Sequence, residues 1–173
     1  MPVSLPSIGQ TNWGDKLNTA ILALSSTLDA HSAALATQPV AVQDATDFLG
    51  LAVTTFQAGP DCGVTFAAPA SGKVFVTVAG HMESNTAAES CYLSFEIRNG
   101  STIGSGTVFF AAVTDYGIGV GGNAGARVCG SRRKLISGLT PGVSYNARTM
   151  HICTGGTFDL FARELLVEPV KTA

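Results

Sequence analysis

Tyr92-Leu93-Ser94-Phe95-Glu96-Ile97-Arg98-Asn99-Gly100 alternates apolar and polar residues without a break. Successive side chains of a strand point to opposite faces, so Leu93, Phe95 and Ile97 line a core while Tyr92, Ser94, Glu96 and Arg98 turn away from it. Asn99-Gly100 closes the run with residues that tolerate a turn. Working outward, comparable runs span 48–56, 62–66, 73–80, 103–113, 126–139, 143–152 and 157–168, with Gly, Pro, Asn or Ser in nearly every gap. No helical period intervenes. The expected fold from residue 46 to 173 is therefore mainly β, an antiparallel β-sandwich of the jelly-roll kind with about eight short strands. Residues 74–78 and 158–167 are apolar on both faces, so one face packs the core and the other is available to a neighbouring subunit.

Leu139-Thr140-Pro141-Gly142-Val143-Ser144-Tyr145 resembles the corner before the second-last strand of fibronectin-type-III and related sandwiches. In that motif the Pro141-Gly142 turn reverses the chain and the Tyr145 hydroxyl ties back to upstream backbone. It speaks for a Greek-key sandwich and carries no chemistry.

Upstream the period changes. Leu17, Ile21, Leu24, Leu28, His31 and Leu35 recur at alternating steps of four and three, with Ser, Thr, Ala, Asn and Asp between them. Such a narrow seam suits a partner helix rather than a globular core: Ile21, Leu28 and Leu35 take a positions, Leu17, Leu24 and His31 take d positions. The blander reading is a single amphipathic helix lying on its own domain. His31 at d reads as a polar layer that fixes register; stacked around an axis, such rings hold an anion or a water and respond near the free imidazole pKa of about 6.5. Pro2, Pro6 and Gly9 keep residues 1–12 extended, with Val3, Leu5 and Ile8 as docking positions and Trp13 at the root of the helix. The expected division is an anchoring arm (1–12), a coiled-coil stem (13–38), a linker or entering strand (39–45) and a β-sandwich head (46–173).

Charged residues make up 13% of the chain, about half the share usual in a soluble domain. Burial between subunits explains so bare a surface. A net charge of −2 gives no field for nucleic acid. No apolar run approaches the roughly 18 residues of a membrane helix, and Asn18, Ser25, Ser26 and Thr27 interrupt the one stretch that mimics a secretory leader. Cys62, Cys91, Cys129 and Cys153 include no CxxC pair and allow three disulfide connectivities; buried free thiols are the expectation.

Chemistry is hard to find. Gly117 to Gly122 satisfies GxGxxG, but a strand follows it and no acidic residue stands about 20 positions on. A flexible exposed loop over 116–125 is expected instead. His81 with Glu83, and His151 with Cys153, share strand faces without a third or fourth metal ligand in view. There is no GxSxG and no carboxylate pair at catalytic spacing, so neither an enzyme nor a cofactor is expected. Arg132-Arg133-Lys134 reads as a sheet edge guarded by charge.

The order of parts, together with Pro6-Ser7-Ile8-Gly9 leading into Trp13-Gly14-Asp15-Lys16-Leu17-Asn18, resembles the starts of tailed-bacteriophage virion proteins, particularly small fibre and minor tail proteins of phages of actinobacteria. Beyond residue 35 the likeness is architectural, to the trimeric jelly-roll heads of phage fibres and of the tumour-necrosis-factor and complement-C1q type. The resemblance implies a homotrimer on the virion, its arm bound to other virion proteins of capsid or tail, its head outward, and its loops 84–89 and 115–125 facing a host-surface glycan or protein. It implies no nucleic-acid partner and no membrane insertion. Two further readings stand beside it: a capsid-decorating trimer or head fibre that reinforces the shell, and a secreted carbohydrate-binding module. The latter needs an aromatic platform, and Trp13, the sole Trp, lies outside the sandwich.

Overall fold

The computed structural model describes residues 13–35 and 38–171. They fall into two compact units, parted between residues 36 and 37.

The first unit holds one helix, α1 (Trp13–Leu35, 23 residues), with Asp15 in its first turn, where a carboxylate meets the positive end of the helix dipole. Thr19 and Thr27 donate their hydroxyls to the carbonyls of Asp15 and Ala23 one turn back, both at 2.8 Å. Such back-bonding gives these poor helix formers a partner without breaking the helix.

The second unit holds ten strands: β1 (Val40–Asp44), β2 (Phe48–Leu51), β3 (Gln57–Ala67), β4 (Lys73–Ser84), β5 (Ser90–Asn99), β6 (Val108–Phe110), β7 (Ile118–Gly121), β8 (Ala126–Ser137), β9 (Ser144–Cys153) and β10 (Phe158–Pro169). One sheet runs β1-β10-β4-β8 with β2 also on β10; the other runs β3-β9-β5-β6 with β7 also on β5. Every pairing is antiparallel. Taking β1 with β2 and β6 with β7 as two interrupted strands, eight strands are shared four and four between the sheets in the order of a jelly roll, with β5 and the β6/β7 strand the one consecutive pair in the same sheet. The core lies between them, where Val74, Val76, Val78 and Met82 of β4 meet Leu93, Phe95 and Ile97 of β5 and Phe158, Leu160, Leu165 and Val167 of β10.

Val40–Asp44, for which a linker and a strand are both open from sequence, is strand β1, paired residue for residue with 163–167 of β10. The run 103–113 contributes only the three residues of β6. Ile118 and Val120, inside the stretch expected to be a flexible loop, are buried as β7 against Leu93 and Cys91. A four-residue strand of alternating Gly carries too few side chains to show a period. The expectation of free thiols is corrected as well: Cys91 and Cys153 form a disulfide. They stand directly opposite each other on β5 and β9, a register that their separation of 62 residues does not reveal. Cys62 is free and buried, Cys129 free and exposed.

At the corner before β9, Gly142 takes φ +77° at the third position of a Thr140–Val143 turn closed by Val143 N–H to Thr140 O at 3.1 Å, a site where a side chain is disfavoured. The Tyr145 hydroxyl accepts the Thr140 N–H at 3.1 Å.

Candidate functional site

Three surfaces bear on function: the helix seam, the far end of the sandwich, and the outer faces of the sheets. On α1, Ile21, Leu24 and Leu28 are 55%, 63% and 70% exposed, and Leu17 is half-buried. An apolar row at heptad spacing open to water costs free energy in proportion to its area, which a partner surface would remove. His31 and Leu35 belong to α1, but their side chains, like that of Trp13, lie outside the description, as do Val3, Leu5 and Ile8 altogether.

The chain enters the sandwich at Val40, which pairs with Val167. The other end of β10 pairs Phe158 with Leu51 and Ser84. Here the connections 85–89, 122–125 and 154–157 meet. The Asp159 carboxylate accepts Asn85 Nδ2 at 2.8 Å and the Gly50 N–H at 2.7 Å; Glu89 accepts the Thr154 hydroxyl at 2.6 Å, and that hydroxyl accepts the Ser90 N–H at 2.9 Å. Backbone bonds from Asn85 to Thr157 (3.0 Å), Ala88 to Gly122 (3.1 Å) and Gly125 to Ser84 (2.7 Å) tie the three connections together. The Cys91–Cys153 bridge lies directly beneath. Ala88, at φ +63°, is the one non-glycine in the left-handed region among the described residues, a conformation tolerated where the surroundings over-determine it. This rim is a polar surface already ordered before any contact.

The outer faces differ. On the β1-β10-β4-β8 sheet, Arg133 covers the Phe75 ring at 4.1 Å and binds Glu168 at 3.1 Å, while Arg127 lies 5.3 Å from the Phe161 centroid and binds Glu83 at 2.6 Å. His81 leans on Phe161 at 4.9 Å and stands opposite Cys129. On the other sheet, residues 100–107 fold over β5 and β9: the Asn146 side chain donates to the carbonyls of Gly100 (3.1 Å) and Ser105 (3.2 Å) and accepts the Gly104 N–H (3.0 Å). Glu96, expected to face water, is buried beside this strap, whose Gly106 carbonyl takes up its partner Arg98; Ser94, also expected to face water, is buried with its hydroxyl donating to Val113 O at 2.7 Å.

The remaining sequence candidates are dispersed. Gly117 to Gly122 falls on β7 and its approach. Cys153 is committed to the disulfide, and His151 is buried in the core face of β9. No group of three or more His, Cys, Asp or Glu placed to hold a metal ion occurs among the described residues, and no described helix is long and apolar enough to cross a membrane. Arg132-Arg133-Lys134 lies on β8, an edge strand, with Lys134 Nζ 3.9 Å from the Tyr116 ring centroid.

Sequence reasoning missed Arg163. It is 1% exposed, its guanidinium lies 4.2 Å from the Phe48 ring, and it is paired with Asp44 of β1. The available signal was an arginine at an inward position of a strand whose other inward positions, among them Leu160 and Leu165, are apolar.

No known protein-family profile matches the chain, and no curated protein matches it in sequence. Among solved structures it is similar to a chain in the structure of infectious bursal disease virus Gt strain, at 10% identity and a TM-score of 0.49 over 76% of this chain and 33% of that one. It is similar to VP2 of the infectious bursal disease virus subviral particle, at 14% identity and a TM-score of 0.40 over 79% and 38%. A third similarity is to carbohydrate-binding module CBM6cm-2 of Cellvibrio mixtus lichenase 5A, solved with cellotriose, at 12% identity and a TM-score of 0.35 over 79% and 98%. The chain spans between 33% and 38% of the length of the two viral chains.

Proposed function

We propose that this chain is a structural protein of a tailed-phage particle, a short homotrimeric spike whose helices associate, whose arm docks on the capsid or tail, and whose head points outward. The observation that carries the reading is the uncovered row Ile21, Leu24 and Leu28 on α1, at the spacing of a coiled-coil seam. The scarcity of charge, 13% of residues, fits heads that bury flank against flank. The number three comes from the resemblance of the first 35 residues to phage fibre and minor tail proteins. The ordered rim at 85–89, 122–125 and 154–157 is then the surface offered to the host. The carbohydrate-module reading gains nothing from Phe75 and Phe161, whose rings are engaged by Arg133 and Arg127.

Mass measurement of the full chain in solution at micromolar concentration tests this. Three copies are expected; two would remove the trimer, and a stable monomer would remove the whole reading.

A further inference from the structure

Strand β1 joins the sandwich at one edge only, by five residue pairs with β10. Its last residue, Asp44, stands directly opposite Arg163 and holds Nη2 of the buried guanidinium. Phe48 of β2 covers the face of that guanidinium. Arg163 Nε and Nη1 are both buried and have no hydrogen-bond partner among the described residues. Among the described residues Asp44 is thus the one carboxylate bonded to a cation that is otherwise incompletely solvated.

From the facing sheet, Gly59 of β3 and His151 of β9 close over the same group. The place where a Gly59 Cβ would stand is 2.5 Å from Arg163 Nη1 and 3.7 Å from His151 Cε1, so only glycine admits the guanidinium beside the imidazole. Cys62 of β3, hydrogen-bonded to Thr149 of β9, feels the charges of Arg163, Asp44 and Glu164. Glu164 itself is exposed on the outer face. His81 of β4 and Cys129 of β8 line an outer pocket together with Arg163 and Glu164. These are the titratable and charged groups around Arg163 among the described side chains of β1, β3, β4, β8, β9 and β10.

We propose that the Asp44–Arg163 pair is an acid-sensitive clasp, and that β1 opens locally from β10 when protons reach this cluster while the rest of the sandwich stays folded. Opening is locally favoured because water entering at β1 satisfies the two orphan nitrogens. Protons push the same way. Burial first, and then the Arg163 charge, lower the His151 pKa to about 4. In the open form the ring reaches water and returns toward its ordinary value near 6.5, so opening takes up a proton once the pH falls below about 6.5. The Asp44 carboxyl, held below its ordinary value chiefly by hydrogen bonds from Thr46 and further by Arg163, adds to opening only at still lower pH.

Hydrogen exchange of the full chain, corrected for intrinsic rates, reads this. Between pH 7 and pH 5 the opening constant of residues 40–44 is expected to rise about 20- to 30-fold, with β4 and β9 unchanged. His151→Gln should abolish that rise, and Asp44→Asn should raise opening of 40–44 already at pH 7. Equal opening of wild-type 40–44 at the two pH values overturns the proposal, as does exchange of 40–44 only in step with β4 and β9. The wild-type comparison needs no variant to fold.

Discussion

Glu96 and Arg148 stand directly opposite each other on β5 and β9, and Arg148 Nε donates to Glu96 Oε1 at 2.6 Å. Arg98 Nε reaches the same oxygen at 2.7 Å and Nη2 the other at 3.2 Å. A carboxylate bonded by two guanidinium groups under a polar strap is costly to break from one side, because the surviving charges stay partly buried.

Burial alone raises the Glu96 pKa, but the hydrogen bonds from Arg98 and Arg148 outweigh it and the carboxyl titrates below its ordinary 4.5. Its stabilisation is therefore complete above about pH 4.5 and is lost as the pH falls through the lowered folded value. Glu96→Gln should cost about 3 kcal/mol at pH 7, and the difference from wild type should shrink in acid. Denaturant unfolding at pH 7 and pH 3 measures both.

The thiols should react in a fixed order. Native protein should take one equivalent of an alkylating reagent, at exposed Cys129; denatured protein two, as buried Cys62 opens; and denatured, reduced protein all four. Mass spectrometry counts them. Reduction of Cys91–Cys153 should lower stability by about 4 kcal/mol, the chain-entropy value for a loop of 62 residues.

Tyr145→Phe removes the acceptor of the Thr140 N–H while keeping the ring, which packs 5.9 Å from Phe66 and 5.4 Å from Phe109. A loss of about 1 kcal/mol is expected, with unchanged circular dichroism.

Leu24→Asp places a carboxylate in the middle of the exposed seam. Charge at a d position of an associated helix is desolvated without a partner, so the variant should run as a monomer by light scattering. Thermal unfolding of its sandwich should show the wild-type near-ultraviolet signal at low temperature. A variant that keeps three copies would place the contact elsewhere.

Much of the head was legible because its long strands bury one face. Leu93, Phe95 and Ile97 announce β5, and Thr140-Pro141-Gly142-Val143 announces the corner before β9. The misreadings have a common physical source, pairings distant in sequence. β7 is too short to show a period and is a strand because β5 pairs with it. Ser94 and Glu96 look solvated in sequence and are buried because later chain folds back over them, 113–117 over Ser94 and 100–107 with its arginine partners over Glu96. The disulfide follows from register between β5 and β9, and Arg163 from its proximity to Asp44, 119 residues away. The helix α1 was legible as spacing, since helical neighbours are local.

The place where β1 begins has a mechanical meaning. Val40 lies beside Val167 and Asp44 beside Arg163, so a pull on the chain at Val40, away from the end of β10 that holds Phe158, would draw β1 lengthwise along β10. Its ladder bonds would then share the tension in shear instead of peeling in turn. A strand that protonation loosens could therefore resist steady traction at neutral pH and yield after acidification.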